Sequence, residues 1–133
     1  MSQELTDEEL AFLQETFEYA RNGDLEKLVE AIDAGVPVNL TNSAGDTLLI
    51  LAAYYTHADV VRTLLARGAD HARINDRGQT ALAAAVFRQA AGIVADLLDA
   101  GADPELGGSK SAVASAEFFD LPEMLALLRQ SRA

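Results

Sequence analysis

A 33-residue internal repeat constrains this chain of 133 residues more than any other feature of its sequence. Two sets of glycines recur at that period: Gly35, Gly68 and Gly101, and Gly45 and Gly78. Residues 60–70 also match residues 93–103, and both segments contain a Leu-Leu pair followed by Gly-Ala-Asp. Such a period is typical of architectures in which similar units stack and each unit contacts only its neighbours.

Each unit contains an amphipathic helix that ends at a glycine. Val61, Leu64 and Leu65 occupy positions i, i+3 and i+4, so they form an apolar stripe along one helix face. Gly68 follows this stripe where a left-handed C-terminal cap is favoured, a conformation that glycine adopts without strain. The spacing therefore predicts a helix that buries one face and ends beside Gly68.

A turn and a second helix complete the unit. We expect an extended stretch over residues 70–75, followed by a turn over residues 76–78 with Gly78 at positive φ. Thr80 is predicted to be the N-cap of a short, Ala-rich helix. One unit cannot bury its apolar face alone, whereas four stacked copies form a continuous core.

The pattern resembles the ankyrin-repeat family from about Phe17 to Leu128, because Gly-x-Thr-x-Leu and Leu-Leu-x-x-Gly-Ala-Asp recur in register. The resemblance implies an all-α solenoid of stacked helix–loop–helix units joined by β-turn or hairpin-like loops. It also implies a single domain over residues 1–133. Its parts would be an N-terminal capping repeat at 1–37, repeats at 38–70 and 71–103, and a shortened C-terminal capping repeat at 104–133. We expect the last turn to be three residues shorter than the one before it.

The chain departs from the family pattern at two kinds of position. The family's Thr-Pro-Leu-His reads Thr-Leu-Leu-Ile at residues 47–50 and Thr-Ala-Leu-Ala at residues 80–83, so the Thr–His link between neighbouring repeats should be missing. The family's glycine between the two helices is present as Gly23 but is replaced by Thr56 and Gln89. A left-handed conformation costs a non-glycine residue roughly 1 kcal/mol or more, so we expect modest stability for the family.

Both ends of the chain have features of solenoid caps. Thr6 and Glu9 predict a capping box at the start of a first helix longer than the inner ones. Apolar residues follow at helical spacing: Leu10, Leu13, Phe17 and Ala20. We interpret the acidic side chains of this helix as a solubilising end, with a docking site for a basic partner as the alternative. Pro122 is placed in the first turn of the last helix. The residues of that helix expected to pack inward are Met124, Leu127 and Leu128.

The sequence lacks the patterns that would indicate catalysis. It has no Cys, which excludes disulfides and cysteine-ligated metals. The resemblance implies that His57 supports the loop between helices, and His71 is expected to be exposed. Residues 107–111 resemble the end of a phosphate-binding loop but lack the preceding strand and the earlier glycine. We therefore predict no enzymatic activity, no cofactor and no metal site.

The charge balance bears on the kind of partner. The chain has 21 acidic and 10 basic residues and a net charge of -11, which argues against nucleic acid or anionic lipid as partner. No apolar run approaches 18 residues and the N-terminus has no secretory pattern, so we expect a cytoplasmic protein without membrane contact. We also expect a monomer, and the abundant Ala and the preference for Arg over Lys favour a bacterial source.

The resemblance places the partner-binding surface on the turn tips and on the inner face of the first helices. The tip positions carried over from the family are Thr41, Ser43, Ala44, Asp46, Ile74, Asp76, Arg77 and Gln79. The helix positions are Arg21, Asn22, Tyr54, Tyr55, Phe87, Arg88, Glu117 and Phe118. Aromatic and Arg side chains dominate many interfaces, so we predict a groove centred on Tyr55, Phe87 and Arg88. The alternative is that Tyr54 packs between helices and Phe118 fills the core.

The sequence thus predicts a protein–protein interaction module, an adaptor or a regulator, that binds another protein through its concave groove and turn tips. The groove positions are nearly balanced in charge, which favours an apolar partner segment that is not highly basic. Two alternatives stay open. One is an enzyme or small-ligand binder with a site near Arg73, Arg77 and Lys110. The other is a self-associating structural protein that uses the acidic cap or an exposed apolar end.

Overall fold

The computed structural model describes residues 5–130 and contains, within that range, eight α-helices and one short 3-10 helix. In chain order they are α1 (Asp7–Asn22), α2 (Leu25–Asp33), α3 (Leu48–Tyr54), α4 (Ala58–Ala66), α5 (Ala81–Phe87), α6 (Ala91–Asp99), the 3-10 helix (Gly108–Lys110), α7 (Ala112–Phe118) and α8 (Pro122–Arg129). Within this range the β pairing consists of one isolated antiparallel bridge, between Thr41 and Thr47. The predicted all-α class is confirmed.

The eight helices form four helix–loop–helix units that stack along one axis. The first helices pack in series, α1 on α3, α3 on α5 and α5 on α7, and the second helices α4, α6 and α8 pack in a parallel layer. Within each unit the two helices also pack on each other. This is the stacked solenoid that the repeat predicts.

Short polar side chains cap the N-termini of α3, α5 and α7, the first helices of the last three units. The hydroxyls of Thr47, Thr80 and Ser111 each accept a hydrogen bond from the backbone amide three residues on, at 3.0–3.1 Å. The predicted N-cap at Thr80 is therefore confirmed. At the start of α1 the Glu9 amide donates to the Thr6 hydroxyl at 3.1 Å and the Thr6 amide donates to the Glu9 carboxylate at 2.9 Å, which confirms the capping box. The Thr6 amide that donates to the Glu9 carboxylate, together with the nearby Thr6 hydroxyl, holds the pKa of that carboxyl below its ordinary value.

The core consists of small and branched side chains on the inner helices. In α5, six of the seven residues (81–86) are buried, because this helix is covered by α3, by α7 and by its own partner α6. Alanine allows that close approach, and Val61, Leu64, Val94 and Leu97 on the second helices fill the space beneath it. In the last helix Met124 and Leu128 are buried and Leu127 is half-buried against the core, as predicted.

The loop between the two helices of a unit is left-handed in all four units. Gly23 supplies the conformation in the first unit, with φ 73°. Thr56 (φ 63°) and Gln89 (φ 56°) supply it in the next two, as the family pattern predicts. In the fourth unit Asp120 (φ 54°) has the same conformation, which the family pattern did not predict. Three non-glycine residues thus hold a conformation that glycine adopts at lower cost.

The structure confirms the expectation for His57 and corrects the one for His71. The His57 ring lies across the preceding unit, with its Nε2 2.7 Å from the carbonyl oxygen of Arg21, so its predicted support of the loop is confirmed. The expected exposure of His71 is wrong, because its side chain is half-buried and its Nδ1 is shielded from solvent.

The extended stretch expected after Asp70 is also interrupted by a turn, since the Asp70 carboxylate accepts from the Ala72 amide at 2.9 Å.

None of the helices in residues 5–130 is long and apolar enough to cross a membrane.

Replacing Thr56 with Gly should stabilise the protein, because it removes a left-handed threonine from an exposed loop. The expected gain is about 1 kcal/mol in the free energy of unfolding, partly offset by the greater freedom of glycine in the unfolded chain. Thermal unfolding followed by circular dichroism measures it. Thr63→Gly, in the interior of α4, is the control and should lower the melting temperature. A melting temperature lowered by Thr56→Gly would contradict the strain argument.

Gly23→Ala should cost much more than Gly68→Ala. Both glycines have positive φ, but a Cβ at Gly23 would lie 2.5 Å from the His57 Nδ1, whereas a Cβ at Gly68 meets no atom within 4 Å. The first substitution displaces the ring that links two units, and the second adds only backbone strain of roughly 1 kcal/mol. Urea unfolding of both variants compares them. Equal losses would show that the His57 contact contributes nothing to the stack.

Candidate interaction surface

The turn tips of the second and third units are built from equivalent asparagines. The Asn42 side-chain oxygen accepts from the amides of residues 44 and 46 at 3.0 and 2.9 Å. The Asn75 side-chain oxygen does the same for residues 77 and 79, at 3.0 and 2.9 Å. The Asp76 amide then donates to the Ala44 carbonyl oxygen at 2.9 Å, which joins one tip to the next. We call this hydrogen-bonded arrangement of residues 42–46 and 75–79 the ladder, and it fixes the two tips relative to each other.

Asp46 belongs to this ladder and not to the surface. This residue is only 5% exposed, and its carboxylate accepts from the Asn75 side-chain amide at 2.8 Å. Arg77 lies 3.8 Å from the same carboxylate. The expectation that Asp46 is an exposed contact residue is wrong, because the next tip covers it. The exposed predicted tip residues are Thr41, Ser43, Ala44, Ile74, Asp76 and Arg77, and Gln79 is half-buried.

A continuous row of aromatic rings follows the ends of the first helices. Tyr54 and Phe118 are the last residues of α3 and α7, and Phe87 is the last residue of α5. Tyr55 and Phe119 are the C-caps that follow α3 and α7. We call these five side chains the aromatic row. They are five of the chain's eight aromatic residues, and the other three lie on α1.

The rings of the aromatic row are in contact from one unit to the next. Tyr54 meets Tyr55 edge-on at 5.1 Å between ring centroids and stacks on Phe87 at 6.3 Å. Phe87 meets Phe119 edge-on at 5.5 Å, and Phe119 meets Phe118 at 5.0 Å. These are the separations that aromatic pairs favour, so each ring limits the freedom of its neighbour.

Most of the row nevertheless faces solvent. Phe118 is 83% exposed, Phe119 49%, Tyr55 43% and Phe87 42%, whereas Tyr54 is half-buried. The alternative that Phe118 fills the core is wrong. Large apolar side chains exposed side by side are rare on a soluble monomer and typically mark an interaction site.

The fourth unit corrects the predicted register by one residue. Its N-cap is Ser111, so the turn between Gly101 and the helix is two residues shorter than in the third unit, not three as counted from Gly108. The helix-end pair is therefore Phe118 and Phe119, and not Glu117 and Phe118. Glu117 instead forms an ion pair with Arg129 at 3.3 Å. Aligning Ser111 with the N-cap threonines would have identified Phe119.

Cations and neutral polar groups border the row. The Arg88 guanidinium lies 5.3 Å from the centroid of the Tyr54 ring, a cation–π contact. In the first unit the equivalent positions are Arg21, which is paired with Glu18, and Asn22, which is exposed. The first unit therefore contributes no ring to the row, and the row spans the second to fourth units.

An open cleft of about 540 Å³ lies between the row and the turns of the last two units. Its lining residues are Gln79, Phe87, Ser109, Lys110, Ala114, Ser115, Phe118 and Phe119. None of these carries a carboxylate, although the chain has 21 acidic residues. Among the predicted contact residues, the structure thus brings Phe87 and Phe118 on the helices together with Gln79 on a turn tip, in the lining of one cleft.

The other predicted chemistry has little structural support. Of the basic residues proposed for a tip-side ligand, Arg73 is paired with Asp70 at 3.2 Å and Arg77 lies against Asp46, while Lys110 lines the cleft. Across residues 5–130 there is no group of three or more His, Cys, Asp or Glu side chains that could hold a metal ion.

A model of the ankyrin-repeat family, with three copies of the repeat, matches residues 17–107, and the chain therefore belongs to this family. Over 59 residues it is 44% identical to a Pseudomonas aeruginosa protein that is named as an ankyrin repeat protein, covering 44% of this chain and 34% of that protein. Over 52 residues it is 36% identical to acyl-CoA-binding domain-containing protein 2 of Arabidopsis thaliana, covering 39% of this chain and 15% of that protein. The chain thus spans about a third or less of either relative.

Asp46→Ala should destabilise the protein, because it leaves the buried Asn75 side-chain amide without its partner at 2.8 Å. We expect a loss of about 1–3 kcal/mol in the free energy of unfolding, measured by urea denaturation. Asp76→Ala is the matched control, since this exposed tip side chain should be replaceable at little cost. If the two variants unfolded at the same urea concentration, Asp46 would have no structural role in the ladder.

Proposed function

We propose that this chain is a binding module that holds a segment of a partner protein against the aromatic row and the adjoining cleft. Ankyrin repeats are generally protein–protein interaction modules and typically not enzymes, which gives the class of function. The observation that supports this particular surface is the contact of five aromatic rings across three units, four of them on residues that are at least 42% exposed.

Preorganisation is the physical basis of the proposed binding. A flexible aromatic side chain loses conformational entropy when a partner immobilises it, at about 0.5–1.5 kcal/mol per side chain. In the aromatic row the neighbouring rings already restrict one another, and each ring stands on a helix end fixed by the stack. More of the contact energy would therefore be available as net affinity.

The location of the row favours a partner segment that lies across the units. The rings follow one another from α3 to α7 along the direction in which the helices stack, and the cleft extends from Phe118 to Lys110. A segment that crosses three units would bury several rings at once. Whether this binding makes the protein an adaptor or a regulator depends on the partner. The predicted monomeric state and cytoplasmic location stay predictions.

The double substitution Tyr55→Ser and Phe87→Ser should remove partner binding without unfolding the protein, because both side chains are more than 40% exposed. Interface hot spots of this kind cost about 2 kcal/mol each when truncated, so capture should fall at least about tenfold. The immobilised chain would capture proteins from native lysate, quantified by mass spectrometry, with helical circular dichroism as the folding check.

Phe12→Ser is the matched control, since Phe12 is 41% exposed but lies on α1, outside the aromatic row. It should leave capture by the wild-type surface unchanged. Proteins retained equally by the wild type and by the double variant would contradict the proposed surface.

A further inference from the structure

Most of the basic side chains in the described part of this acidic protein form ion pairs with carboxylates, but a few do not. Within residues 5–130, six arginines lie within 4.0 Å of a carboxylate: Arg21, Arg62, Arg67, Arg73, Arg77 and Arg129. Three other basic residues of that range have no such ion pair: Lys27, Arg88 and Lys110. Lys27 lies 5.9 Å from the Tyr19 ring on the α1–α2 side of the molecule.

The other two unpaired cations border the proposed groove. Lys110 lines the cleft, and its Cγ lies 3.4 Å from where a Cβ at Gly78 would be, just before α5 begins. Arg88 is the C-cap of α5, with its guanidinium over the Tyr54 ring. The two cations therefore mark opposite ends of α5, a helix of seven residues and about 10 Å in length.

Carboxylates are absent from the lining of the cleft, which is the surface that carries Lys110. The cleft lining has Lys110 as its one charged group, and Glu117, on the neighbouring α7, is paired with Arg129. At physiological salt a charge is screened beyond about 8 Å, so a docked segment responds mainly to groups in the groove and less to the net charge of -11. A carboxylate would gain ion pairs there, and a lysine or arginine would meet like charge.

We propose that the partner segment is an acidic peptide in which aspartate or glutamate accompanies apolar or aromatic side chains. The apolar side chains would pack on the aromatic row, and carboxylates would pair with Lys110 and Arg88. This inference rests on the proposed function, because it specifies the partner of the same surface. The charge balance of the sequence alone predicts only a segment that is not highly basic.

The test begins with a random twelve-residue peptide library displayed on phage and selected against the full chain. Selected peptides would be synthesised with a fluorophore, and their affinities measured by fluorescence anisotropy at 0.15 M salt. The inference expects peptides that are rich in Asp or Glu and in apolar residues. Their binding should be lost in the Tyr55→Ser, Phe87→Ser variant.

A double-mutant cycle then tests the ion pairs. Lys110→Gln and Arg88→Gln should each weaken binding about two- to fivefold, as expected for exposed pairs. Lys27→Gln, which changes the net charge equally at a distant site, should have no effect. Replacing the acids of the peptide with their amides should weaken binding to the wild type, but much less to the doubly substituted Lys110→Gln, Arg88→Gln chain.

The outcomes separate the two proposals. Neutral or basic peptides that depend on Tyr55 and Phe87 would overturn the acidic partner and leave the binding surface intact. Failure to select any peptide that depends on these two residues would overturn both. Sedimentation velocity supplies a third outcome. A concentration-dependent dimer abolished by Lys110→Gln would show that a second copy of this chain, and not a partner peptide, occupies the cleft, which also overturns the inference.

Discussion

The burial of the first helices between their neighbours is the constraint on which the rest of the structure depends. A seven-residue helix such as α5 is not stable alone, and all seven of its residues are apolar, of which residues 81–86 are buried by neighbouring helices. That cover comes from α3 on one side, α7 on the other and α6 beneath. Only the end of such a helix is free to leave the core, and that is where Phe87 and Arg88 lie.

The same constraint explains how the site is positioned. The stack fixes the spacing of the helix ends, so side chains at equivalent positions of successive units are brought into contact. The hydrogen-bonded ladder of the tips fixes the opposite end of the same helices, through Asn75 and Asp46. The concave surface is therefore held from both ends.

The sequence was sufficient to predict the features that depend on the period. The repeat predicts the all-α solenoid and places Thr80 at the N-cap of α5. The family pattern has a left-handed glycine where this chain has Thr56 and Gln89, so it predicts positive φ at both residues. These features are local or repeat in each unit, so one copy informs the others.

The errors arose where neighbouring units touch or where the period fails. Asp46 is covered by the next tip and His71 is half-buried, and neither fact can be read from a single unit. In the fourth unit the turn contains a 3-10 helix, so counting from Gly108 misplaced the helix end by one residue and missed Phe119. A register based on the capping hydroxyl of Ser111 follows the physics of helix initiation and gives the correct pair.

Each of the last three units adds at least one ring to the aromatic row, which makes this surface modular. Duplicating residues 71–103 would insert another Phe–Arg pair at the same spacing, because its neighbours would present the same packing faces. The length of the bound segment would then scale with the number of units, without any redesign of the contacts. In this architecture a single duplication therefore lengthens the scaffold and the segment that it can bind together.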